Sequence, residues 1–465
     1  MQVGLGALAA ECAKLAADVD HVLVMGMGGS SLFPEVLARS FTAGSDDAPT
    51  LHVVDTTDPL TLHRIAAELP ADRTLHVAAS KSGSTIETRS HLEWAWERHP
   101  DPARFAAITD PGSELQALGE ERGFAQVWLN RSDIGGRYSA LSHFGVVPAL
   151  LAGLDAGALL RSASAMAERL RGPVGVNPAA RLAAVMAAGV RTGRDKVTIL
   201  LPDTIATFGL WLEQLLAEST GKDGTGVIPV VGEPLGDPEV YGDDRLFIAV
   251  VDAEADHDGH ATAAITALAD AGHPVHVVEG GGLDDLGGQV LLWEAATALC
   301  GALLGIHPFD QPDVAAAKAA TNKVLADGLP DEPEVAVDEL LAQVRPGDYI
   351  GIQAFVDPGA PEVARLEQAR VALRDRYRVA TTFGLGPRFL HSTGQLHKGG
   401  PDTGVFLQVV GPAPDDGIPV PGKPYDFATL ERAQAAGDLL TLRERGRRAA
   451  RVTLDSLLAL APPSQ

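Results

Sequence analysis

The alternation of strand-like and helix-like segments is the feature that most constrains how this chain folds. Short runs of β-branched and other apolar residues recur along the 465 residues, separated by alanine-rich stretches that favour helix. Their spacing of roughly 20 to 30 residues is typical of βαβ units, in which helices cover both faces of a parallel sheet. We therefore predict an α/β protein with doubly wound parallel sheets.

The predicted strands fall into three series. Five lie in the first third, four more follow a glycine- and proline-rich break at 171–178, and the last third is less regular, with a long charged helix near 360–377. The predicted strands are 21–25, 51–55, 74–80, 104–109 and 125–129; 196–201, 226–231, 245–251 and 274–278; and 349–355, 377–383 and 404–410. We expect two doubly wound domains, 1–160 and 175–330, and a C-terminal lobe, 331–465.

Charge excludes two classes of partner. The chain has 37 Lys and Arg against 61 Asp and Glu, a net charge of −24, which repels nucleic-acid phosphates and anionic lipid headgroups. We expect binding neither to nucleic acid nor to membranes. The two cysteines, Cys12 and Cys300, lack metal-site spacing and are typical of structural thiols in a reducing cytoplasm.

Neither a membrane span nor a secretion signal is expected. The longest apolar stretch, near 290–306, is interrupted by Glu294 and Thr297. The first 20 residues have no basic leader before their apolar residues and read as a helix. We expect a cytoplasmic protein.

A first glycine-rich loop, GMGGSS (26–31), directly follows a predicted strand. Gly29 and its neighbours let backbone N–H groups approach an anion at the start of the next helix, and the Ser30 hydroxyl suits a terminal phosphate. A dinucleotide site is an alternative, with Asp55 at the end of the second strand as the ribose-binding acid. A tight turn with a capping serine remains a third interpretation.

A second loop, SKSGSTIET (80–88), also joins a strand to a helix. It combines a glycine and a positive charge with several hydroxyls, and Ser84 with Glu87 fits a capping box that would begin the helix there. A dianionic phosphate suits such a nest, although a serine-rich capping loop is an alternative. The predicted phosphate-binding residues of the loop are Ser80, Lys81, Ser82, Ser84 and Thr85.

These two loops resemble those of the sugar isomerase domain, a doubly wound module that binds phosphosugars. Five blocks occur in the order expected for the glucose-6-phosphate isomerase family, and the likeness is strongest to the isomerase half of fused transaldolase–isomerase proteins. The blocks are GMGGSSLFP, SKSGSTIET, GGRYSALS (135–142), WLEQLLAESTGKDGTG (211–226) and RFLHSTGQLHKGGP (388–401). The resemblance implies two sugar isomerase domains, a homodimer with a shared active site, and no metal or other cofactor.

The resemblance implies catalytic roles for Arg137, Glu218 and His391. Arg137 follows two glycines and can offer fixed donors to an enediolate. Glu218 shares a helical stripe with Trp211 and Gln214, so partial burial should raise the pKa of this carboxyl towards that of a useful base. Gln214 matches a glutamine that contacts substrate. Without the family, Glu218 reads as a solvated helix charge and Arg137 as a surface residue in a turn.

His391 is the candidate for opening the sugar ring, because histidine exchanges protons near neutral pH. Its structural alternative is a helix cap, and His397 and Lys398 are secondary candidates. The family typically ends in a Gln-x-Gly-Val-Glu-x-x-Lys block whose lysine assists ring opening, whereas residues 425–438 read YDFATLERAQAAGD. Either Lys398, Lys423 or Arg432 substitutes, or His391 opens the ring with less help.

The predicted activity is the interconversion of glucose 6-phosphate and fructose 6-phosphate through a cis-enediol, in glycolysis and gluconeogenesis. Two other functions stay open from the residues. A non-catalytic sugar-phosphate sensor would keep the phosphate loops but would not need Glu218, Arg137 and His391 together. A dinucleotide-dependent oxidoreductase is supported only by the first loop.

Overall fold

A computed structural model describes residues 2–41, 48–252, 259–280, 282–412, 414 and 416–462. Three sheets, each entirely parallel, follow one another along the chain. The strands of the first sheet are β1 (His21–Gly26), β2 (Thr50–Val54), β3 (Thr74–Ala79), β4 (Phe105–Thr109) and β5 (Gln126–Leu129); of the second β6 (Lys196–Leu200), β7 (Ile228–Val230), β8 (Arg245–Val251) and β9 (Val275–Glu279); of the third β10 (Tyr349–Phe355), β11 (Ala380–Leu385), β12 (Gly404–Val410) and β13 (Arg448–Arg451).

Helices connect the strands and cover the sheets, as parallel crossovers require. They are α1 (Gln2–Ala16), α2 (Leu32–Ser40), α3 (Pro59–Glu68), α4 (Ile86–Arg98), α5 (Glu114–Arg122), α6 (His143–Leu151), α7 (Ala156–Leu170), α8 (Pro178–Arg191), α9 (Phe208–Thr220), α10 (His260–Asp270), α11 (Leu286–Leu304), α12 (Val314–Asp327), α13 (Val337–Leu341), α14 (Pro361–Tyr377), α15 (Gly394–Gly399), α16 (Phe427–Glu444) and α17 (Leu454–Leu458).

Strand order determines where the glycine-rich loops meet. The first sheet has the order β2-β1-β3-β4-β5, so β1 and β3 are neighbours whose crossovers leave in opposite directions. Ligands of open α/β sheets bind at the carboxyl ends of strands at such a reversal. Loops 27–31 and 80–85 follow β1 and β3 there. The second and third sheets repeat the order, as β7-β6-β8-β9 and β11-β10-β12-β13.

The predicted fold class is confirmed, and most strand boundaries differ by one or two residues. The C-terminal lobe is more regular than expected, since 349–355 and 404–410 are central strands of a third sheet. Its edge strand β13 was not predicted, because RAAR has little β-branched or aromatic character. The predicted strand 377–383 begins only at Ala380, because α14 extends to Tyr377 and ends on Arg378 in the left-handed conformation.

The helix α11 is long and apolar enough to cross a membrane by length and composition alone, despite Glu294 and Thr297. In the segment Leu283–Leu304, however, 61% of the most apolar window is buried inside the protein. α11 packs against α7, α8 and α9, and Trp293 on it is among the largest fully buried side chains. These contacts are those of a core helix.

Candidate active site

Two adjoining cavities lie where the loops of the first sheet meet segments that follow the other two. The larger has a volume of about 450 Å³ and is lined by the loops after β1 and β3, by the 135–137 turn and by α9. The smaller, about 110 Å³, lies between α4, α12 and α16. His391 and Lys318 line both, so we treat the two as one cleft.

Close backbone packing explains the glycines after β1. Gly28 has a φ of +55°, and a Cβ there would lie 2.7 Å from the His391 carbonyl oxygen. A Cβ on Gly29 would lie 2.0 Å from the carbonyl oxygen of Gly136. The first loop therefore seats directly against the segments that carry His391 and Arg137. Ser30 is buried and lines the larger cavity.

The loop after β3 presents hydroxyls at the start of α4. Ser80 Oγ accepts the Gly83 N–H at 3.1 Å and lies 3.2 Å from Thr85 Oγ1, and Ser82 Oγ lies 2.9 Å from Ser84 Oγ. Ser80, Ser82 and Thr85 line the larger cavity, and Ser84 lines the smaller. These hydroxyls and the first amides of α4 form a polar end suited to an anion.

Lys81 also lines the larger cavity, but its charge has a partner. Its ammonium forms an ion pair with Asp110 and donates to the Ser132 carbonyl oxygen at 2.7 Å. A phosphate at this loop would therefore compete with Asp110 for the ammonium.

Arg137 is held rigidly in the wall of the cleft. Its Nε donates to Ser219 Oγ at 2.8 Å, its Nη1 to Gln311 Oε1 at 2.7 Å, and its Nη2 to the Pro308 carbonyl oxygen at 2.7 Å. Only 2% of the residue is exposed. These contacts orient Nη1 towards Glu218, whose Oε1 lies 3.3 Å away.

Glu218 stands in the last turn of α9, facing the cavity. Burial raises the pKa of its carboxyl, and the charge of Arg137 and a hydrogen bond from Gln214 oppose that shift. Gln214 Nε2 donates to Glu218 Oε2 at 3.0 Å and to the His391 carbonyl oxygen at 2.9 Å. The buried Gln214 Oε1 has no hydrogen-bond partner among the described residues, which leaves an acceptor for a ligand hydroxyl.

His391 is paired with Glu87, the residue that the sequence analysis placed in a capping box. Its Nε2 lies 2.8 Å from Glu87 Oε1, which also accepts from Gln434 Nε2 at 2.6 Å. Burial raises the pKa of Glu87, but the charge and hydrogen bond of His391 outweigh it, and the net shift is downward. With Glu87 ionised, Nε2 carries the proton and Nδ1 is left to exchange one with a ligand.

The predicted capping box is therefore wrong. α4 begins at Ile86 after Thr85, and no side chain caps it. Glu87 is only 2% exposed and points into the protein, towards His391, so it cannot reach back to Ser84.

Comparisons with known proteins identify the family of this chain. A family model described as phosphoglucose isomerase matches residues 10–229. A glucose-6-phosphate isomerase of Rubrobacter xylanophilus is 31% identical over 365 residues, covering 66% of this chain and 82% of that protein. A probable glucose-6-phosphate isomerase of Natronomonas pharaonis is 29% identical, with 70% and 84% covered. The chain belongs to the glucose-6-phosphate isomerase family.

Solved structures show the same fold. A hypothetical protein from Thermus thermophilus aligns with a TM-score of 0.61 and 25% identity, covering 69% of this chain and 87% of that one. A glucose-6-phosphate isomerase from Chlamydia trachomatis aligns with a TM-score of 0.58 and 20% identity, covering 70% and 73%.

The segment that differs from the family's C-terminal block lies mostly on α16. Gln434 lies on α16 within 425–438, the region that differs from the block, and its amide donates to Glu87 Oε1 at 2.6 Å. Lys398 is buried in an ion pair with Asp438 at 2.5 Å, and Lys423 and Arg432 are exposed and line neither cavity. None of the three expected substitutes lies in the cleft.

His397, the other secondary candidate, lies in the core. It is buried beside Phe389 and Phe406, and its Nδ1 is 3.1 Å from Gln353 Nε2. Burial lowers the pKa of His397 far below its usual value. It lines neither cavity.

Asp55, the candidate ribose-binding acid, is engaged by Arg388. Both Asp55 oxygens accept from the guanidinium at 2.8 Å, and Asp55 is buried. Arg388 opens the 3₁₀ turn Arg388–His391, so the pair ties the end of β2 to the segment that carries His391. This removes the acid on which the dinucleotide interpretation depends.

The described residues include no group of three or more His, Cys, Asp or Glu side chains placed to hold a metal ion.

Every predicted site residue lines one of the two cavities, namely Gly29, Ser30, Ser80, Lys81, Ser82, Ser84, Thr85, Arg137, Gln214, Glu218 and His391. Sequence reasoning missed Glu87, Gln434 and Lys318. The available signal for Glu87 was a carboxylate within the predicted phosphate loop segment, but its spacing from Ser84 led to its interpretation as the acid of a capping box.

Proposed function

We propose that this chain interconverts glucose 6-phosphate and fructose 6-phosphate, with Glu218 as the base that moves the proton between C1 and C2. One observation carries the proposal: a buried glutamate stands 3.3 Å from a buried, fully held arginine, in a cleft whose other end is a hydroxyl-rich anion nest. That arrangement supplies a base, an oxyanion partner and a phosphate grip in one cavity.

The phosphate is held by the two loops of the first sheet. Ser30 and the hydroxyls of 80–85, with the first amides of α4, receive its oxygens. Lys81 contributes charge by exchanging Asp110 for the phosphate. Binding at this end holds C1 and C2 against Glu218, so that remote contacts position the reacting carbons.

Proton transfer then needs only one carboxylate. Glu218 removes the C2 proton of the open-chain aldose, and the C1 carbonyl oxygen becomes the enediolate oxygen O1. The proton of the C2 hydroxyl passes to O1, the C2 carbonyl forms, and Glu218 returns the carbon-bound proton to C1 to give the ketose. Arg137 stabilises the enediolate, because its fixed guanidinium faces the same cavity. Gln214 orients the Glu218 carboxylate and offers its free Oε1 to a substrate hydroxyl.

Ring opening precedes that transfer. His391 Nδ1 accepts the proton of the anomeric hydroxyl, and Glu87 stabilises the resulting imidazolium through Nε2. The sensor alternative is not favoured, because phosphosugar binding alone requires neither a buried Glu–Arg pair nor a His–Glu pair in the same cleft.

We further propose a cytoplasmic homodimer. The family resemblance supports the dimer, and the two buried free cysteines, Cys12 and Cys300, are typical of a reducing cytoplasm. In the structure, Glu218, Arg137 and His391 of a single chain lie in one cleft. We therefore propose that each subunit completes its own site, which differs from the shared site implied by the resemblance. The particular likeness to the isomerase half of fused transaldolase–isomerase proteins stays a prediction.

The test is to supply fructose 6-phosphate to the purified protein and follow glucose 6-phosphate with a coupled dehydrogenase. Glu218→Gln should lower kcat by at least about 100-fold while retaining phosphosugar binding, since general acid–base groups contribute on that scale. Glu213→Gln is a matched control, because Glu213 is buried on the same helix but lines neither cavity. A Glu218→Gln protein with near wild-type kcat would contradict the mechanism.

A further inference from the structure

Ring opening needs two proton-transfer groups, and the residues placed so far supply one. When the bond between the anomeric carbon and O5 breaks, its electron pair stays on O5, which must gain a proton, while the anomeric hydroxyl must lose one. His391 with Glu87 can take the hydroxyl proton. Gln434, which contacts the same Glu87 oxygen, is an amide and supplies hydrogen bonds but no titratable proton.

Lys318 is placed to supply the second proton-transfer group, the one that protonates O5. It lies on α12, is exposed, and lines both cavities together with His391. Thr321 and Asn322, one turn further along the same face, line the smaller cavity beside it. α12 packs against α16, so this ammonium reaches the cleft from the helix next to the one that carries Gln434.

The charge of Lys318 is available, unlike that of Lys81, the other lysine that lines the larger cavity. Lys81 is paired with Asp110, Lys222 with Asp310 and Lys398 with Asp438. In the described ranges Lys318 has no hydrogen bond or ion pair, and its charge acts on the nearby Glu87 carboxylate. The Glu87 Oε2 atom is buried and lacks a hydrogen-bond partner among the same residues, so this carboxylate keeps an oxygen that no neighbour satisfies.

We propose that Lys318 is a catalytic residue of ring opening, donating a proton to O5 while His391 accepts the proton of the anomeric hydroxyl. The two transfers balance: the cyclic sugar becomes an open-chain carbonyl and hydroxyl, Lys318 becomes an amine and His391 an imidazolium. Because Lys318 is exposed, water restores its proton, and the His391 imidazolium returns its proton to water. This inference rests on the proposed isomerase function.

The experiment compares two substrates of Lys318→Met. Fructose 6-phosphate must open its ring at O5, whereas 5-deoxyfructose 6-phosphate has no O5 and is already an open-chain ketose. We expect kcat on fructose 6-phosphate to fall about 100-fold, the scale of a lost general acid, and kcat on the 5-deoxy sugar to stay at the wild-type value. Lys323→Met, an exposed lysine of α12 outside both cavities, should leave both rates unchanged.

Each outcome decides between the hypotheses. Equal losses on both substrates would assign Lys318 to binding or folding and overturn the proposal, as would unchanged rates on both. If the wild-type protein isomerises the 5-deoxy sugar but not fructose 6-phosphate, the chain lacks ring opening and the Lys318 assignment fails while Glu218 chemistry stands. If it isomerises neither, the proposed function itself fails.

Discussion

At the scale of residues, opposing environments set the chemistry of Glu218. Burial favours the protonated carboxyl, and Arg137 at 3.3 Å favours the carboxylate that a base requires. The same guanidinium is held by Ser219, Gln311 and a backbone carbonyl, so its position does not depend on substrate. In the proposed mechanism, this fixed positive charge serves both the resting Glu218 carboxylate and the enediolate.

Replacing Arg137 should therefore change the pH profile as well as the rate. Arg137→Gln removes the charge that lowers the pKa of Glu218, so that pKa rises. Since the base must be ionised, the acid limb of kcat/KM should move to higher pH. We expect kcat itself to fall by about 100-fold, as for a lost oxyanion donor. The measurement is kcat/KM for fructose 6-phosphate across pH.

Arg131→Gln provides the control, because Arg131 is an exposed arginine nearby that pairs with Asp133 and lines neither cavity. Its profile should match the wild type. An acid limb that stays in place, or moves to lower pH, in Arg137→Gln would show that Glu218 is not the group that titrates there.

At the scale of elements, the short turn Arg388–His391 links the third sheet to the first. Arg388 holds Asp55 at the end of β2 with two hydrogen bonds, and Glu35 on α2 lies 3.9 Å from the same guanidinium. Three residues later, His391 reaches Glu87 on α4. The histidine is thus positioned by contacts at both ends of one 3₁₀ turn.

Breaking the Asp55–Arg388 pair should destabilise the protein and slow catalysis together. Asp55→Asn leaves a largely buried guanidinium without its main partner, which costs about 3 kcal/mol. The thermal unfolding midpoint should fall, and kcat should fall as the turn loses its anchor. Asp20→Asn, in the exposed pair with Arg73, should leave both nearly unchanged. An Asp55→Asn protein with wild-type midpoint and kcat would refute the anchoring role.

At the scale of the whole molecule, one cleft draws on all three sheets. The phosphate loops follow β1 and β3, Glu218 lies on the helix after β6, and His391 follows β11. These parts are distant in the chain but converge within a single subunit. A dimer of such chains would hold two complete and independent sites.

Co-expression of two inactive variants tests this. Glu218→Gln and His391→Ala chains, combined as a mixed dimer, should remain inactive, because neither subunit holds both residues. If the site were shared between subunits, one of the two sites in the mixed dimer would regain Glu218 and His391, and activity would return. Differently tagged chains allow the mixed dimer to be purified and its dimeric state measured by sedimentation before the assay.

The sequence by itself determined the α/β class, most strands and the two glycine-rich loops, because hydrophobic periodicity and glycine-rich turns are local signals. The roles predicted for Arg137, Glu218 and His391 come from the family resemblance. Tertiary structure decided what depends on distant contacts. In the sequence, Glu87 fits a capping box. Only the folded structure places His391, 304 positions away, within hydrogen-bonding distance of it. Lys398 and Lys318 are equally charged in the sequence, and only packing buries one against Asp438 and leaves the other in the cleft.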